Sequence, residues 1–533
     1  MQSTRKLLSI TNLKKYFPVA KAKLFQKEQL YVRANEDISI DIYEGETVGV
    51  VGESGCGKST LGRVLLQLYP QTAGNTMYYG ATLDSTTPKY VIDTLHHLDK
   101  YKAKLQKASE KAAELNKRVE AAGEENADFY LLQERNLARC DEQTCLKHIV
   151  TILGGFFAKD EDGKGRELME KVYNENVQRN KLLEKRADLN AEYDLSSSKG
   201  EEKKTAELKA KLDELDRQIA AFDKSTAACQ KELDDLRARN AGDPEFAKYE
   251  AMRDSGIDLA RLTYGEMRLL RKDLQIIFQD PYSSLNPRMT IGQIIEEGLL
   301  THNFYRHGSK QMQEHIVNTM KECGLQEYML HRYPHQFSGG QRQRVAIARA
   351  LAVKPKFIVC DECVSALDVS IQSQIINLLQ ELKQKQNLTY MFISHDLSVV
   401  RYISDRICVM YLGNIVELAS AETIFKDPRH PYTVALLSSI PTTDPESLQK
   451  ERILLQGNIP SPIRPPSGCK FHTRCYMACD KCKRVPPPLQ EVEPGHFLAC
   501  HFPQRKLDEN GDYLFELPKM ERKSSRGADA KAD

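Results

Sequence analysis

Apolar positions divide the chain into three stretches of different rhythm. Up to about residue 82, the run ETVGVVG (Glu46 to Gly52) reads as a buried strand, and LGRVLLQL just after Thr60 as a helix. From about Val91 to Ser255 the rhythm changes. Leu98, Tyr101, Leu105, Ala108, Ala112, Leu115 and Val119 follow alternating steps of three and four. So do Leu208, Leu212, Leu215, Ile219, Phe222, Thr226, Cys229, Leu233 and Leu236. Both are coiled-coil seams, and the second spans about 44 Å at 1.5 Å per residue. Between them Leu168 to Leu195 has a weaker helical pattern, with turn signals at Gly123, Gly154 to Gly165 and Ser196 to Gly200. The simplest arrangement is one antiparallel helical stalk. Globular patterning returns at about Arg261, with an apolar strand ending at Cys360 and a helix through VAIARALAV. The chain turns Pro-rich beyond Pro441 and ends in a polar tail expected to be disordered.

At 533 residues the chain has room for about three to four domains. Its net charge of +2 is too balanced to signal nucleic-acid binding, so any anion must be held by a local site. No window approaches the roughly 18 apolar residues of a spanning helix. The apolar stretch Leu7 to Ile10 is far too short for a signal-peptide core, which predicts a cytoplasmic chain. Thirteen cysteines are scattered until five cluster between Cys469 and Cys500, and in a reducing compartment that cluster points to metal more than to disulfides.

The ETVGVVG strand runs directly into Gly52-Glu53-Ser54-Gly55-Cys56-Gly57-Lys58-Ser59-Thr60, a G-x-x-x-x-G-K-[ST] phosphate loop opening a helix. Its glycines let successive backbone N–H groups close around the β- and γ-phosphates of a nucleotide, Lys58 adds a point charge, and Ser59 offers its hydroxyl to Mg²⁺. Downstream, KFIVCDE is an apolar strand ending in two carboxylates, with Asp361 suited to the Mg²⁺ shell and Glu362 to polarising the attacking water. In Phe337-Ser338-Gly339-Gly340-Gln341-Arg342-Gln343-Arg344, the Ser-Gly-Gly can cap the following helix and aim N–H groups at an anion.

With these motifs the sequence resembles the ABC ATPase family everywhere except in the stalk. The resemblance implies that Ser338, Gly339, Gly340 and Gln341 form the signature that contacts ATP held by an opposing subunit. It also implies that Gln279 in IIFQDP is the Q-loop glutamine, sharing Mg²⁺ with Ser59 and Asp361, and that Asp368 in SALD belongs to the D-loop. His395 in MFISHD matches the switch histidine beside the γ-phosphate, and Tyr16, next to Phe17, lies where the family stacks an aromatic on adenine. The segments DLQIIFQDPYSSLNPRMTIGQIIEEGL, RYPHQFSGGQRQR and HPYTVALLSSIP resemble oligopeptide and dipeptide importer ATPases, and YFPV with NPRMT favours their F-type subunit. The sequence departs from that pattern at Cys363, where proline usually follows the catalytic glutamate, and at Gln336, usually acidic.

The implied fold is α/β: a P-loop ABC-type nucleotide-binding domain at 1–90 and 256–440 with a helical subdomain at about 286–350, an inserted antiparallel coiled-coil stalk at 91–255, a small cysteine-bearing extension at 441–515 and a tail at 516–533. The implied function is an ATP-hydrolysing subunit at the cytoplasmic face of the cell membrane. It would pair with a second ATPase subunit and two transmembrane permease subunits, and indirectly with an extracytoplasmic peptide-binding protein, without nucleic acid. The alternative is a soluble ABC ATPase of the DNA-repair or chromosome-structure class, since those also interrupt their core with coiled coil.

Cys469, Cys475, Cys482 and Cys500 are spaced C-x5-C-x6-C-x17-C in a segment too poor in apolar residues to form a core unaided. They match the extension in which some peptide-importer ATPases bind a four-iron four-sulfur (4Fe-4S) cluster, although four thiolates suit Zn²⁺ equally well. Cys479 is a fifth candidate. Cys140 and Cys145, with His148, read as incidental thiols on a helical hairpin. The insertion falls before the Q-loop rather than inside a motif, so the core can close around it, leaving the stalk as solvated decoration or as a docking arm.

Overall fold

A computed structural model describes residues 5–20, 29–123, 129–440 and 453–502. Among these, twelve strands build two sheets: β1 (Lys6–Pro18), β2 (Tyr31–Tyr43), β3 (Thr47–Val51), β4 (Ala73–Tyr78), β5 (Ile257–Asp258), β6 (Leu274–Ile277), β7 (Phe357–Asp361), β8 (Thr389–Ile393), β9 (Arg406–Tyr411), β10 (Asn414–Ser420), β11 (Gln490–Glu493) and β12 (His496–Leu498). The smaller sheet is antiparallel, in the order β2-β1-β4-β5. The larger runs β11-β12-β10-β9-β3-β8-β7-β6, parallel from β9 to β6 and antiparallel beyond.

Strands β3, β7 and β8 are buried at every residue, as expected of parallel strands covered on both faces. On one face Leu8, Ile10, Ile40 and Ile42 of the small sheet pack against Val48, Val50, Val359 and Met391. On the other, the helices Ile291–Thr301, Lys310–Glu322 and Gly339–Leu351 close a second core with Ile358, Cys360 and Phe392. These three helices occupy the stretch expected to form a helical subdomain.

The insertion sits between β4 and β5, and Tyr78 and Ile257 are direct cross-strand partners. It forms two antiparallel helical hairpins rather than one stalk. The seam Leu98 to Val119 lies in the helix Leu98–Ala122 and packs on Phe129–Leu153, sharing a core of Ala112, Leu115 and Ala138. The seam Leu208 to Leu236 lies in Glu202–Asn240 and packs on Lys164–Ser198, where Arg179–Asp223 and Arg186–Asp216 ion pairs set the antiparallel register. The two seams thus meet neighbouring helices instead of each other. At their base Tyr90, Val91, Leu95, Leu98, Ile149 and Phe246 form a separate core, so the helix Lys89–His96 belongs with the hairpins. Arg261 ties that base to the ATPase body, donating to the His148 carbonyl (2.8 Å) and the Thr94 hydroxyl (2.7 Å).

Because the ends of the insertion are hydrogen-bonded neighbours with their own core above them, replacing residues 80–255 by a short Gly-Ser turn is expected to leave a folded chain that binds ATP, measurable by nucleotide titration. Loss of folding would show that the hairpins are part of the ATPase core.

The Pro-rich extension solves its shortage of apolar residues by docking. β12 adds to β10, β11 adds to β12, and Phe471 is buried between Tyr411 and Tyr432, with ring centroids 5.2 and 5.3 Å away. The core is borrowed from β9 and from the helix Pro431–Ser438. The tail at 516–533 lies outside the described residues.

Candidate functional site

Parallel register brings the motifs together. β6, β7, β8 and β3 end side by side, with Ile277 opposite Cys360, Asp361 opposite Ile393, and Val50 opposite Ile393. Gln279, Glu362, His395 and the phosphate loop each follow within two residues of such an end, along the carboxyl edge where open α/β sheets bind ligands.

The loop from Gly52 to Gly57 feeds the helix Lys58–Leu65, whose N-cap, Gly57, lies at φ +102° with no side chain capping the first turn. The N–H groups of Lys58, Ser59 and Thr60 therefore face the anion site with the helix dipole behind them. The Lys58 ammonium bonds the carbonyls of Gly52 (2.8 Å) and Glu53 (3.1 Å), which folds it back onto the start of its own loop. Cys56 is buried, and burial raises its thiol pKa, so it packs as a small neutral side chain.

The Ser59 hydroxyl donates to Asp361 at 2.5 Å, placing two hard oxygens at one point, and Arg63 stands 3.5 Å from the other oxygen of Asp361. Oxygen donors of this kind suit Mg²⁺. Glu362 sits one residue past β7 at φ +48°, a left-handed conformation that swings its side chain out of the strand. Gln279 Nε2 donates to Glu362 Oε2 at 2.7 Å, and His395 Nδ1 lies 3.7 Å from the same oxygen. Gln279, Glu362 and His395 thus form one cluster beside the Ser59–Asp361 pair.

Ser338 caps Gly339–Leu351 reciprocally: its hydroxyl accepts the Gln341 N–H, and the Gln341 side chain accepts the Ser338 N–H. Gly340 admits no side chain, since a Cβ would lie 2.4 Å from Ile371. Asp368 caps Val369–Gln386. Asp368 is reached from Glu362 through a turn in which the Ser365 hydroxyl donates to the Glu362 carbonyl at 2.9 Å.

Tyr16 is 6% exposed, and its hydroxyl donates to Glu36 at 2.8 Å, whereas Phe17 is half-buried, edge-to-face with Tyr69. Sequence reasoning missed Glu36 and Lys470. Burial works to raise the Glu36 carboxyl, but Lys470 and Arg33 outweigh it and hold its pKa at about 2. No short motif links these residues, because Lys470 arrives from the far end of the chain.

Cys469, Cys475, Cys482 and Cys500 line one cavity of about 10 Å³, together with Phe471 and His430. Cys479 lies outside it, its sulfur 3.8 Å from that of Cys482. Burial pushes the Cys475 and Cys500 thiols up to about 12 and about 11. Among the described residues no three His, Cys, Asp or Glu side chains are placed to share a single metal ion. Cys140 is half-buried and Cys145 buried in Phe129–Leu153, and His148 lies 3.8 Å from Asp258. Among the described residues no helix is long and apolar enough to cross a membrane.

Comparison with known proteins agrees with this geometry. The ABC transporter family model matches residues 35–218 and 248–365, and the model for the oligopeptide/dipeptide transporter C-terminal region matches 416–482. The oligopeptide transport ATP-binding protein AppF of Bacillus subtilis is 52% identical over 248 residues, covering 46% of this chain and 75% of AppF. A Brucella ovis protein named for peptide import ATP binding is 55% identical over 246 residues, covering 46% of this chain and 76% of its own length. With more than half of its residues inside the ABC match, and relatives half identical over three quarters of their length, the chain belongs to the ABC transporter family, as an ATPase of the oligopeptide/dipeptide importer type.

Proposed function

We propose that this protein powers the import of oligopeptides or dipeptides, hydrolysing ATP at the cytoplasmic face of the membrane in a complex with a second ATPase subunit and two permease subunits. The strand-end cluster supports the reading, because the Glu362 carboxylate follows a strand end on the same sheet edge as that of the phosphate loop in a chain whose residues 416–482 resemble the C-terminal region of peptide transporters. The loop N–H groups and Lys58 bind the β- and γ-phosphates. Mg²⁺ held by Ser59 and Asp361, with Gln279 nearby, would neutralise the charge that develops on the phosphoryl oxygens. Glu362 orients the attacking water and takes its proton, and His395 donates a hydrogen bond to the γ-phosphate. Ser338, Gly339, Gly340 and Gln341 serve the nucleotide of the opposing subunit, Asp368 lines the shared interface, and closure of the pair moves the permeases. Stacking on adenine falls to Tyr16 or to its neighbour Phe17, the more exposed of the two.

The extension adds a metal centre to this reading. Four thiols around one cavity supply the donor set of a 4Fe-4S cluster, in which each thiolate takes a separate iron. A tetrahedral Zn²⁺ would use the same four thiolates, and the metal and sulfide content of the protein separates the two. Cys479, off the cavity but 3.8 Å from the Cys482 sulfur, is the alternative fourth ligand. The role is structural, pinning the chain between Cys469 and Cys500.

Anaerobic purification of the native complex from membranes tests both parts. Co-purification of polytopic membrane subunits and a second ATPase is expected, with iron and sulfide near stoichiometric amounts. Recovery with DNA or ribosomes alone would overturn the transport reading in favour of the soluble class. Zinc without sulfide would replace the cluster, and folded, metal-free protein would remove it.

A further inference from the structure

The cysteine-bearing extension touches the phosphate loop itself. Arg474, the residue before Cys475, sets its guanidinium fork on the carboxylate of Glu53, the second residue of the loop, with Nη1 to Oε2 at 2.6 Å and Nη2 to Oε1 at 3.0 Å. Two parallel charge-assisted bonds fix orientation as well as distance. The Arg474 side chain is only 6% exposed, so the pair is shielded from much of the screening that weakens surface ion pairs. The Glu53 N–H donates to the Tyr432 hydroxyl at 2.8 Å, and Tyr432 is itself buried against Phe471 of the extension. The Glu53 carbonyl accepts from Lys58. Every polar group of Glu53 is therefore engaged: its carboxylate by Arg474, its N–H by Tyr432 and its carbonyl by the phosphate-binding lysine.

A second strut runs beside the first. Lys470 donates to Glu36 at 2.9 Å and to the Leu412 carbonyl at 2.8 Å, the Glu36 N–H donates to the Gly413 carbonyl, and the neighbouring Asn35 amide bonds the Gly57 carbonyl at 3.1 Å. Both ends of the loop, Glu53 and Gly57, are thus braced by contacts that begin between Cys469 and Cys475.

We propose that Arg474 is a positioning residue for the phosphate loop, so that nucleotide binding and the order of the four-thiol segment are linked. Arg474 presets Glu53, Glu53 presets the Lys58 ammonium, and a loop already in shape binds phosphate without an ordering cost. Linkage is reciprocal, so bound nucleotide tightens the docking of the extension by the same factor. This rests on ATP binding alone and holds whatever metal the thiols carry.

The test uses the full chain and Mg-ATP. Arg474→Ala is expected to raise the KM and Kd for ATP by about tenfold to a hundredfold while kcat at saturation stays within about twofold, because Glu362 and its partners are untouched. Arg474→Lys should recover part of the affinity. Glu53→Gln, which leaves the extension intact, should give a similar KM shift, and the double variant should be no worse than the more severe single. In wild-type protein ATP should slow amide hydrogen exchange across residues 469–482, and in Glu53→Gln it should not. If Arg474→Ala does not fold, Glu53→Gln carries the test through KM and exchange. An unchanged KM in Glu53→Gln, additive effects in the double variant, or exchange indifferent to ATP in the wild type would overturn the proposal.

Discussion

Replacing Glu362 by glutamine is expected to leave ATP affinity at its wild-type value and to slow turnover about 10² to 10⁴-fold, the range for removing a general base. The amide matches the carboxylate in size, and its oxygen can still accept the Gln279 N–H that Glu362 now accepts at 2.7 Å, so the local structure has no reason to move. What the amide cannot do is take a proton from water. The left-handed backbone at residue 362 is already tolerated by the fold, and neither residue is β-branched, so no new strain enters. Phosphate release at saturating Mg-ATP, beside equilibrium binding of a fluorescent nucleotide, separates the two effects. A variant hydrolysing at the wild-type rate would take Glu362 out of the chemistry.

Gly57→Ala should abolish ATP binding instead, weakening it by about 100-fold or more through lost charge-assisted bonds to the phosphates. A Cβ at this position would stand 2.0 Å from the Ala34 carbonyl oxygen, a backbone atom of β2 that cannot swing aside, and φ of +102° is itself unfavourable for alanine. Relief requires the first turn of Lys58–Leu65 to shift, and that turn aims the N–H groups at the phosphates. Gly55→Ala is the control. It has a positive φ of +80° but no protein atom within 4 Å of its Cβ, so within the protein itself only the conformational penalty applies, about 1–2 kcal/mol. Equal losses of binding in the two variants would show that backbone strain, and not the contact with β2, sets the loop's demand for glycine.

What sequence revealed depended on how local each signal was. The phosphate loop, the Asp361–Glu362 pair and the Ser338 cap are contiguous, and the strand ends deliver them to one edge, so their meeting was legible. The seams were legible residue by residue: Ala112, Leu115, Val119, Leu208, Ile219 and Leu233 are buried where the stepping places them. Their pairing was not. The helix Phe129–Leu153 packs against Leu98–Ala122, β4 and Pro244–Glu250 at once, so it is half-buried around most of its circumference and carries no single apolar stripe to announce it as a partner. The extension misled for a related reason. Counting its apolar residues asked whether it could build a core, whereas Phe471 inserts into one built by Tyr411 and Tyr432. Glu53 and Arg474 lie 421 residues apart, and no periodicity reaches across that distance.

The cross-strand pairing of Tyr78 with Ile257 makes the insertion point a port in the ATPase. Chain leaves and returns through two backbone positions already spaced as neighbours in an antiparallel ladder, about 5 Å apart, so the cassette experiences whatever lies between them only as a closed turn. The entropy of closing a loop grows slowly with its length, and here the inserted helices fold on their own core and bring the ends together themselves. A foreign domain whose termini lie a strand-spacing apart meets the same requirement. The motor could therefore carry a reporter or an affinity module at this junction without any motif residue changing its neighbours.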